Sequence, residues 1–281
     1  MGAAIKAPAF RYHGGKFRLA PFVIKHFPPH KTYVESFGGA AGVLLQKPRA
    51  YAEIYNDLDG DVVNFFQIVR DPSTRARLIE AVVMTPYSRA EFEQSYLETD
   101  DPLERARRLC IRASMGFGSA GATKGTTGFR VDSKRAYGTA QHLWAKYPEN
   151  IAVIGERFSG VLVEQRTAIE VMQQHDSPDT LHYVDPPYLP ETRCKTGNRF
   201  YRHEMSVDQH IELLRSLKDL RGMVIVSGYP SDLYSLELDG WHINTTNARI
   251  SSARGAAVRT ECLWINQFCV DRLNGAGLFE E

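Results

Sequence analysis

The chain has 281 residues, of which 43% are apolar and 24% charged, and its formal net charge is +1. These values are ordinary for a globular protein, and the length suits one large domain or one domain with an insertion. No apolar run reaches the length of a membrane span, residues 1–10 lack a signal-peptide core, and four cysteines and nine histidines show no metal-ligand spacing. The composition therefore predicts a cytoplasmic protein with no membrane segment and no metal.

The first predicted elements follow the order found in one half of a doubly wound, nucleotide-binding fold. A strand is predicted over 33–37, and a glycine-rich loop over 38–42 leads into a helix from Val43 to about Pro48. A second strand follows over 51–55, and apolar residues at helical spacing predict a helix over 59–70. This strand–loop–helix–strand–helix unit is typical of the opening of a doubly wound fold.

The next segment is helical and basic. Helical patterns cover 75–84, 88–97 and 103–114 and precede a Gly/Thr/Ser-rich stretch over 116–128. From 105 to 146 there are nine Lys or Arg residues and one acid, a local charge of +8. A solvated surface is the simplest reading of such a run, but further basic segments at 188–203 and 248–260 favour a polyanion such as nucleic acid.

Strand signals then resume, at 161–163, 181–184, 223–227 and 261–268, with an amphipathic helix over 207–220. We therefore predict an α/β fold with a Rossmann-like, doubly wound mixed sheet. Its main domain would comprise residues 1–70 and 159–281, interrupted by a largely helical, basic insertion over 71–158.

The most informative motif, Asp185-Pro186-Pro187-Tyr188, directly follows the predicted strand 181–184. Ligands of open α/β sheets bind beyond the carboxyl ends of the strands. The Asp185 carboxylate and the Pro186 carbonyl can accept hydrogen bonds from an exocyclic amine, and Tyr188 offers a ring for stacking. A simple strand-ending turn is the alternative, because prolines favour one in any case.

Three charged residues outside this motif point to one ligand. Glu35, on the strand before the glycine loop, suits an ammonium group, whereas the loop itself lacks the Gly-x-Gly-x-x-Gly pattern. Asp57 ends the second strand, where an acid commonly binds ribose hydroxyls, although it could instead cap the next helix. Lys16 follows two glycines and suits a carboxylate or phosphate. A nucleoside joined to an amino acid, such as S-adenosylmethionine, has all three groups.

Several motifs in this order resemble the Dam-like family of DNA N6-adenine methyltransferases, of the D12 class, with the phage and prophage branch as the nearest match. The motifs are Tyr-His-Gly-Gly-Lys at 12–16, Val-Glu-Ser-Phe-Gly-Gly-Ala-Ala-Gly at 34–42, Asn-Asp at 56–57 and Asp-Pro-Pro-Tyr at 185–188. The resemblance extends to nearly the whole chain through 202–205, 224–229 and 259–266. The order of the motifs resembles the α-type arrangement, because the glycine loop comes first and the insertion precedes Asp-Pro-Pro-Tyr.

The resemblance implies which residues bind S-adenosylmethionine. Tyr12 and Lys16 would contact its methionine part, and Asp57 its ribose. The full cofactor-binding set is expected to be Tyr12, Lys16, Glu35, Phe37, Gly38, Gly39, Asp57 and Asp185. Relatives often have Asn-Arg-Asp-Ala after the third strand, whereas this chain reads Gln165-Arg166-Thr167-Ala168. Thr167 or a backbone group is therefore expected to replace the usual carboxylate contact to the cofactor's adenine.

The resemblance also implies the reaction, which is methylation of N6 of an adenine that is flipped out of double-stranded DNA. The catalytic residues would be Asp185, Pro186, Pro187 and Tyr188, acting by direct in-line transfer without a covalent intermediate or a metal. An N4-cytosine methyltransferase and a catalytically silent DNA-binding relative are the alternatives.

The resemblance implies that residues 1–70 and 159–281 form the catalytic domain and that 71–158 is a target-recognition insertion. The basic segments are expected to contact DNA. Phosphate contacts would supply affinity, and side chains at base edges would supply sequence choice. The candidate residues are Lys124, Arg130, Lys134, Arg135, Arg193, Lys195 and Arg199. A monomer is expected, or a homodimer where the DNA site is palindromic. A role in restriction–modification is open.

Overall fold

A seven-stranded mixed sheet forms the centre of the protein in the computed structural model, which describes residues 5–119, 121–122, 126–131, 138–192, 201–252 and 255–276. Within these ranges, the strands are β1 (Thr32–Glu35), β2 (Ala52–Asn56), β3 (Leu162–Glu164), β4 (Thr180–Val184), β5 (Met223–Gly228), β6 (His242–Ser252) and β7 (Gly255–Ile265). Their order across the sheet is β3-β2-β1-β4-β5-β7-β6.

The first five strands are parallel, and β7 inserts antiparallel between β5 and β6. Strands β4 and β5 are buried along their whole length, as expected for parallel strands covered by helices on both faces. The chain changes its direction of winding between β1 and β4, which are neighbours in the sheet. The carboxyl ends of these two strands therefore form the crevice where such folds bind their ligands.

Helices cover both faces of the sheet. In the described residues they are α1 (Ala20–Ile24), α2 (Gly60–Arg70), α3 (Pro72–Val83), α4 (Arg89–Gln94), α5 (Pro102–Met115), α6 (Ala140–Ala145), α7 (Tyr147–Phe158), α8 (Ala168–Gln174), α9 (Val207–Lys218), α10 (Asp232–Glu237) and α11 (Gln267–Ala276). Their starts follow the usual chemistry, since Asp59 caps α2 and Thr167 and Ser206 form capping boxes at α8 and α9. None of these helices is both long and apolar enough to cross a membrane.

The segment between β2 and β3 is helical wherever it forms regular elements, as predicted. Its last helix, α7, packs against α2 and α3, and the Phe158 ring stacks on Phe66 at 4.1 Å between ring centroids. Tyr55 of β2 contacts both rings, so the helices share one hydrophobic core with the sheet. Division of the chain into a catalytic domain and an insertion over 71–158 stays a prediction.

One local prediction was wrong and another was correct only in part. The helix predicted from Val43 to about Pro48 is absent, because residues 43–46 form turns. The Leu44 N–H donates to Glu35, and Gly39 and Ala41 just before it have positive φ angles of 48° and 53°. The last predicted strand, 261–268, is the end of the longer β7, and Phe268 lies in α11. Its partner β6 was missed, since its polar sequence lacks the apolar alternation of a typical strand.

Candidate active site

A cavity of about 420 Å³ lies at the carboxyl ends of β1, β2 and β4. This volume is in the usual range for a small-molecule site. The cavity brings together every residue predicted to bind the cofactor, and also Pro186, Pro187 and Thr167. The predicted cofactor residues on its wall are Tyr12, Lys16, Glu35, Phe37, Gly38, Gly39, Asp57 and Asp185.

One part of the cavity wall is a loop in which Gly38 and Gly39 leave no room for a side chain. A Cβ on Gly38 would overlap the ring of Tyr55, and one on Gly39 would lie 2.8 Å from the ring of Tyr12. Gly39 also has the left-handed φ that glycine tolerates best. The Tyr55 hydroxyl donates to the Gly39 carbonyl at 2.6 Å, so the loop is tied to β2.

Asp57 is held in place by two backbone hydrogen bonds, from the Gly39 N–H at 2.7 Å and the Asp59 N–H at 2.8 Å. Burial raises the pKa of Asp57 to about 6, although both bonds oppose this shift. The helix cap that was an alternative role for Asp57 is instead provided by Asp59, which accepts from the Asp61 N–H. Asp57 therefore presents an oriented carboxylate to the cavity.

Glu35 is another buried acid of the cavity, with 2% of its surface exposed. Its Oε2 accepts hydrogen bonds from the Tyr33 hydroxyl at 2.7 Å and the Leu44 N–H at 2.8 Å. Burial raises the pKa of Glu35 to about 8 despite these bonds. A bound cation would favour the ionised form, so the carboxyl is suited to an ammonium group.

Lys16 connects the cavity to the Asp-Pro-Pro-Tyr motif. Its Nζ lies 2.6 Å from Asp185 Oδ1 and 2.5 Å from the Tyr188 hydroxyl oxygen, and only 4% of the residue is exposed. Burial by itself would lower the pKa of Lys16, but the charges of Asp185 and Glu261 raise it above its usual value. Lys16 therefore remains an ammonium and donates a hydrogen bond to the Asp185 carboxylate.

Asp185 stands at the boundary of two regions. Burial raises the pKa of its carboxyl to about 6 against the opposing effect of Lys16, so it is mainly ionised at neutral pH. On one side it lines the cavity, and on the other it neighbours Tyr188, which lies outside the cavity wall. The Tyr188 ring stacks on Tyr229 with centroids 4.1 Å apart, and the Arg259 guanidinium lies over Tyr229.

The sequence reasoning missed three parts of this site. Residues 201–205 form one wall of the cavity, where Arg202 bonds Asp59 and Asp61 at 3.2 and 3.1 Å. Tyr229 and the buried Glu261 lie behind Tyr188. All three parts belong to segments that contributed to the family resemblance, which was the signal that could have identified them, but no role was assigned to their side chains.

The structure describes only one of the residues predicted to bind DNA. Arg130 is 5% exposed. Its backbone N–H donates to the Met115 carbonyl, and its backbone carbonyl accepts from the Tyr87 hydroxyl. The others lie outside the described residues, namely Lys124, Lys134, Arg135, Arg193, Lys195 and Arg199. No group of three or more possible metal ligands occurs in the described part of the chain, and metal independence stays a prediction.

The strand order, with an antiparallel β7 and a glycine loop after β1, defines a class I methyltransferase fold, as predicted. Residues 12–239 match the model of the D12 class N6 adenine-specific DNA methyltransferases, and the protein belongs to this family. The predicted family is thereby confirmed, whereas its phage branch stays a prediction.

Individual relatives have low sequence identity to this chain, but the matches extend over most of both chains. The DNA adenine methylase of Vibrio cholerae is 21% identical over 264 residues, which cover 89% of this chain and 91% of the relative. The type II methyltransferase M.MjaIII of Methanocaldococcus jannaschii is 21% identical over 269 residues, which cover 86% and 91%. Among solved structures, an rRNA methylase from Streptococcus thermophilus overlaps 94% of this chain and 100% of its own, with 9% identity and a TM-score of 0.37.

Proposed function

We propose that the protein binds S-adenosylmethionine in the cavity and methylates N6 of an adenine flipped out of double-stranded DNA. The proposal depends chiefly on one observation, which is that Asp185 lies between the cavity and Tyr188 while Lys16 holds one of its oxygens. When bound, the cofactor supplies an electrophilic methyl group. The residues around it provide binding, orientation and charge.

The cavity residues fit the polar groups of this cofactor. Asp57 presents a backbone-held carboxylate to the ribose hydroxyls, and Glu35 offers a carboxyl to the ammonium. The glycine loop allows the ligand to approach the backbone closely. We also propose that Tyr12 and Lys16 contact its methionine part and that Phe37 lines its pocket, as the family resemblance implies.

The contact to the cofactor's adenine is better supplied by the backbone than by Thr167. The Thr167 hydroxyl donates to Glu170 at 2.7 Å and accepts from the Glu170 N–H, so it is committed to the capping box. Ala168 and Ile169 line the cavity in the first turn of α8. The N–H groups of a first helical turn have no partner within their helix, and they can therefore bind a ring nitrogen.

The motif residues act on the amine. Asp185 and the Pro186 carbonyl would accept the two hydrogens of N6, which directs the nitrogen lone pair toward the methyl group. Lys16 keeps Asp185 ionised and fixed through Oδ1. The nitrogen gains a methyl group and loses one proton, so an ionised carboxylate beside it assists both steps. Tyr188, supported from behind by Tyr229, would stack on the extruded base.

DNA binding is assigned to the basic segments. The four arginines of α5 within the basic stretch 105–146 pair with acids, so we assign the phosphate contacts to Lys124, Lys134 and Arg135 of the same stretch. We assign the same role to Arg193, Lys195 and Arg199 in the segment that follows the motif. The burial of Arg130 favours an anchoring role over a DNA contact. The family match favours adenine over cytosine, and the intact clamp of Lys16 and Asp185 argues against a silent relative.

The test is methylation of DNA by wild type and by Asp185→Ala, read by long-read sequencing after incubation with S-adenosylmethionine. We expect N6-methyladenine in one sequence context from the wild type. The rate of methylation by Asp185→Ala should be lower by about 100-fold or more, which is the loss found when one preorganised polar group is removed from an active site. Asp179→Ala, at the opposite end of β4, is the matched control and should match wild type. Near-normal methylation by Asp185→Ala would contradict the assignment.

A further inference from the structure

A second buried carboxylate, which the proposed mechanism does not use, lies behind the motif. Glu261 on β7 is 1% exposed. It accepts a hydrogen bond from the Ser227 hydroxyl at 2.8 Å and from the Tyr188 hydroxyl at 3.2 and 3.3 Å. The Lys16 ammonium lies 3.4 Å from Glu261 Oε1.

This arrangement is costly for folding alone. Asp185 and Glu261 share the single ammonium of Lys16, so two buried acids are paired with one cation. Removal of a buried charge from water costs several kcal/mol, and apolar residues of similar volume are often as stable or more so. Glu261 is thus better explained by what it holds in position than by any gain in stability.

The hydrogen bonds admit one arrangement. A tyrosine hydroxyl has one proton, and since Lys16 donates to the Tyr188 oxygen, that proton points to Glu261. Ser227 on β5 anchors Glu261 in turn, and the Tyr229 ring packs on the Tyr188 face. Glu261 therefore determines the position of the Tyr188 hydroxyl and of the Lys16 ammonium, which holds Asp185.

We propose that Glu261 is a positioning residue for methyl transfer, which acts through Tyr188 and Lys16 to orient the base-binding side of Asp185. The inference rests on the function proposed above and adds to it a residue on the base side. Glu261 is not on the cavity wall, so its effect should fall on the chemical step and not on cofactor binding.

The charge of Glu261 also affects the protonation of Asp185. Burial raises the pKa of Asp185, Lys16 opposes this, and Glu261 adds to it. The titratable groups that face Asp185 are Lys16, Glu261, Glu35, Tyr183, Tyr188 and Tyr234. Since Glu261 raises the pKa of Asp185, neutralising Glu261 should lower it. Activity that needs ionised Asp185 would then persist to lower pH.

The test is Glu261→Gln, a nearly isosteric change. We expect kcat to fall about 10- to 100-fold, the range expected for a displaced reacting group. The Kd of S-adenosylmethionine should remain within about twofold of wild type, because a group off the cavity wall loses no contact to the cofactor. The acid limb of the kcat/KM profile should move to lower pH. A merely structural role would not move this limb.

Two further variants make the test specific. Tyr188→Phe retains the ring for stacking but removes the hydroxyl, and its effect should be non-additive with Glu261→Gln if both act as one unit. If Glu261→Gln does not fold, Tyr188→Phe still tests the proposal. An unchanged kcat in Tyr188→Phe would overturn the proposed role of Glu261. Glu53→Gln removes another buried carboxylate, paired with Lys47 and Arg157 at the other end of the sheet, and should retain kcat and the acid limb.

The outcomes separate the two proposals. Wild-type kcat and an unmoved acid limb in Glu261→Gln, or additive effects in the double variant, would overturn the role of Glu261 alone. Equal losses in Glu53→Gln would do the same, because the effect would then be general to buried carboxylates. A wild-type protein that does not methylate DNA would overturn the proposed function and this inference with it.

Discussion

Glu35 illustrates how one buried carboxyl group can reduce the stability of the fold. It is buried beside the cavity, and its pKa is raised from its usual 4.5 to about 8. Between these values the folded chain retains a proton that the unfolded chain loses, so stability falls as pH rises through this window. A bound ammonium would remove this penalty by pairing with the carboxylate.

We predict that Glu35→Gln flattens the pH dependence of stability between pH 6.5 and 8. Above pH 6.5 Asp57 and Asp185 are already mainly ionised, so Glu35 dominates the slope among these three groups. The free energy of unfolding of the wild type should fall by up to about 1.4 kcal/mol per pH unit. Glutamine still accepts the bonds from Tyr33 and Leu44. Urea denaturation at several pH values measures the slope, and parallel curves would refute the prediction.

At the scale of single elements, the turn after β1 explains why the cavity exists. Its positive φ angles and the hydrogen bond from the Leu44 N–H to Glu35 prevent a regular helix, and the backbone of the glycine loop lines the cavity. The Tyr55 ring fills the space below the loop, and its hydroxyl fixes the Gly39 carbonyl. The loop geometry thus depends on a side chain from the next strand.

We predict that Gly38→Ala destabilises the protein. The added Cβ would overlap the Tyr55 ring, which cannot move away because it is buried against Phe66 and Phe158. Overpacking of this kind costs about 1–3 kcal/mol, to be measured by urea denaturation. In the control Gly275→Ala, in α11, the new methyl group meets no atom within 4 Å, and it should be neutral or stabilising. Equal stability of Gly38→Ala and wild type would show that the loop can shift.

At the scale of the whole molecule, Asp61 connects the helical segment to the cavity. Its carboxylate accepts from Arg105 and Arg112 of α5, each at 3.0 Å, and from Arg202 on the cavity wall at 3.1 Å. Burial alone would raise the pKa of Asp61, but these arginines, Arg202 first, lower it. Its contribution to stability is therefore present at neutral pH and lost in acid.

We predict that Asp61→Asn lowers both stability and cofactor affinity. Loss of the charge leaves three partly buried arginines with weaker partners, at a cost of about 1–3 kcal/mol. Arg202 would then hold the cavity wall less firmly, which should weaken cofactor binding about 3- to 10-fold. Denaturation and calorimetry measure the two effects. Asp179→Asn, whose partners Lys31 and Arg272 are exposed, should change neither, and equal behaviour of both variants would count against the link.

The sequence by itself determined the local features of this protein. The buried strands, the helix from Asp59 onward and the helical character of the segment before β3 follow from patterns within short windows, which depend only on neighbouring residues. The ordered motifs also identified the family and the residues that line the cavity, since each motif carries its own chemistry. The helix predicted from Val43 to about Pro48 and the strand β6 were wrong or missed because contacts outside a short window decide the structure there, with Glu35 in the first case and with β7 in the second.

Only the tertiary structure decided which charges meet. Lys16 and Asp185 are 169 residues apart, yet they form the tightest ion pair of the site. Glu261 and Asp61 have partners on separate strands and helices, so no spacing in the chain could have assigned their roles. The physical reason is that a charge acquires its partner and its pKa from burial, and burial is a property of the packed fold.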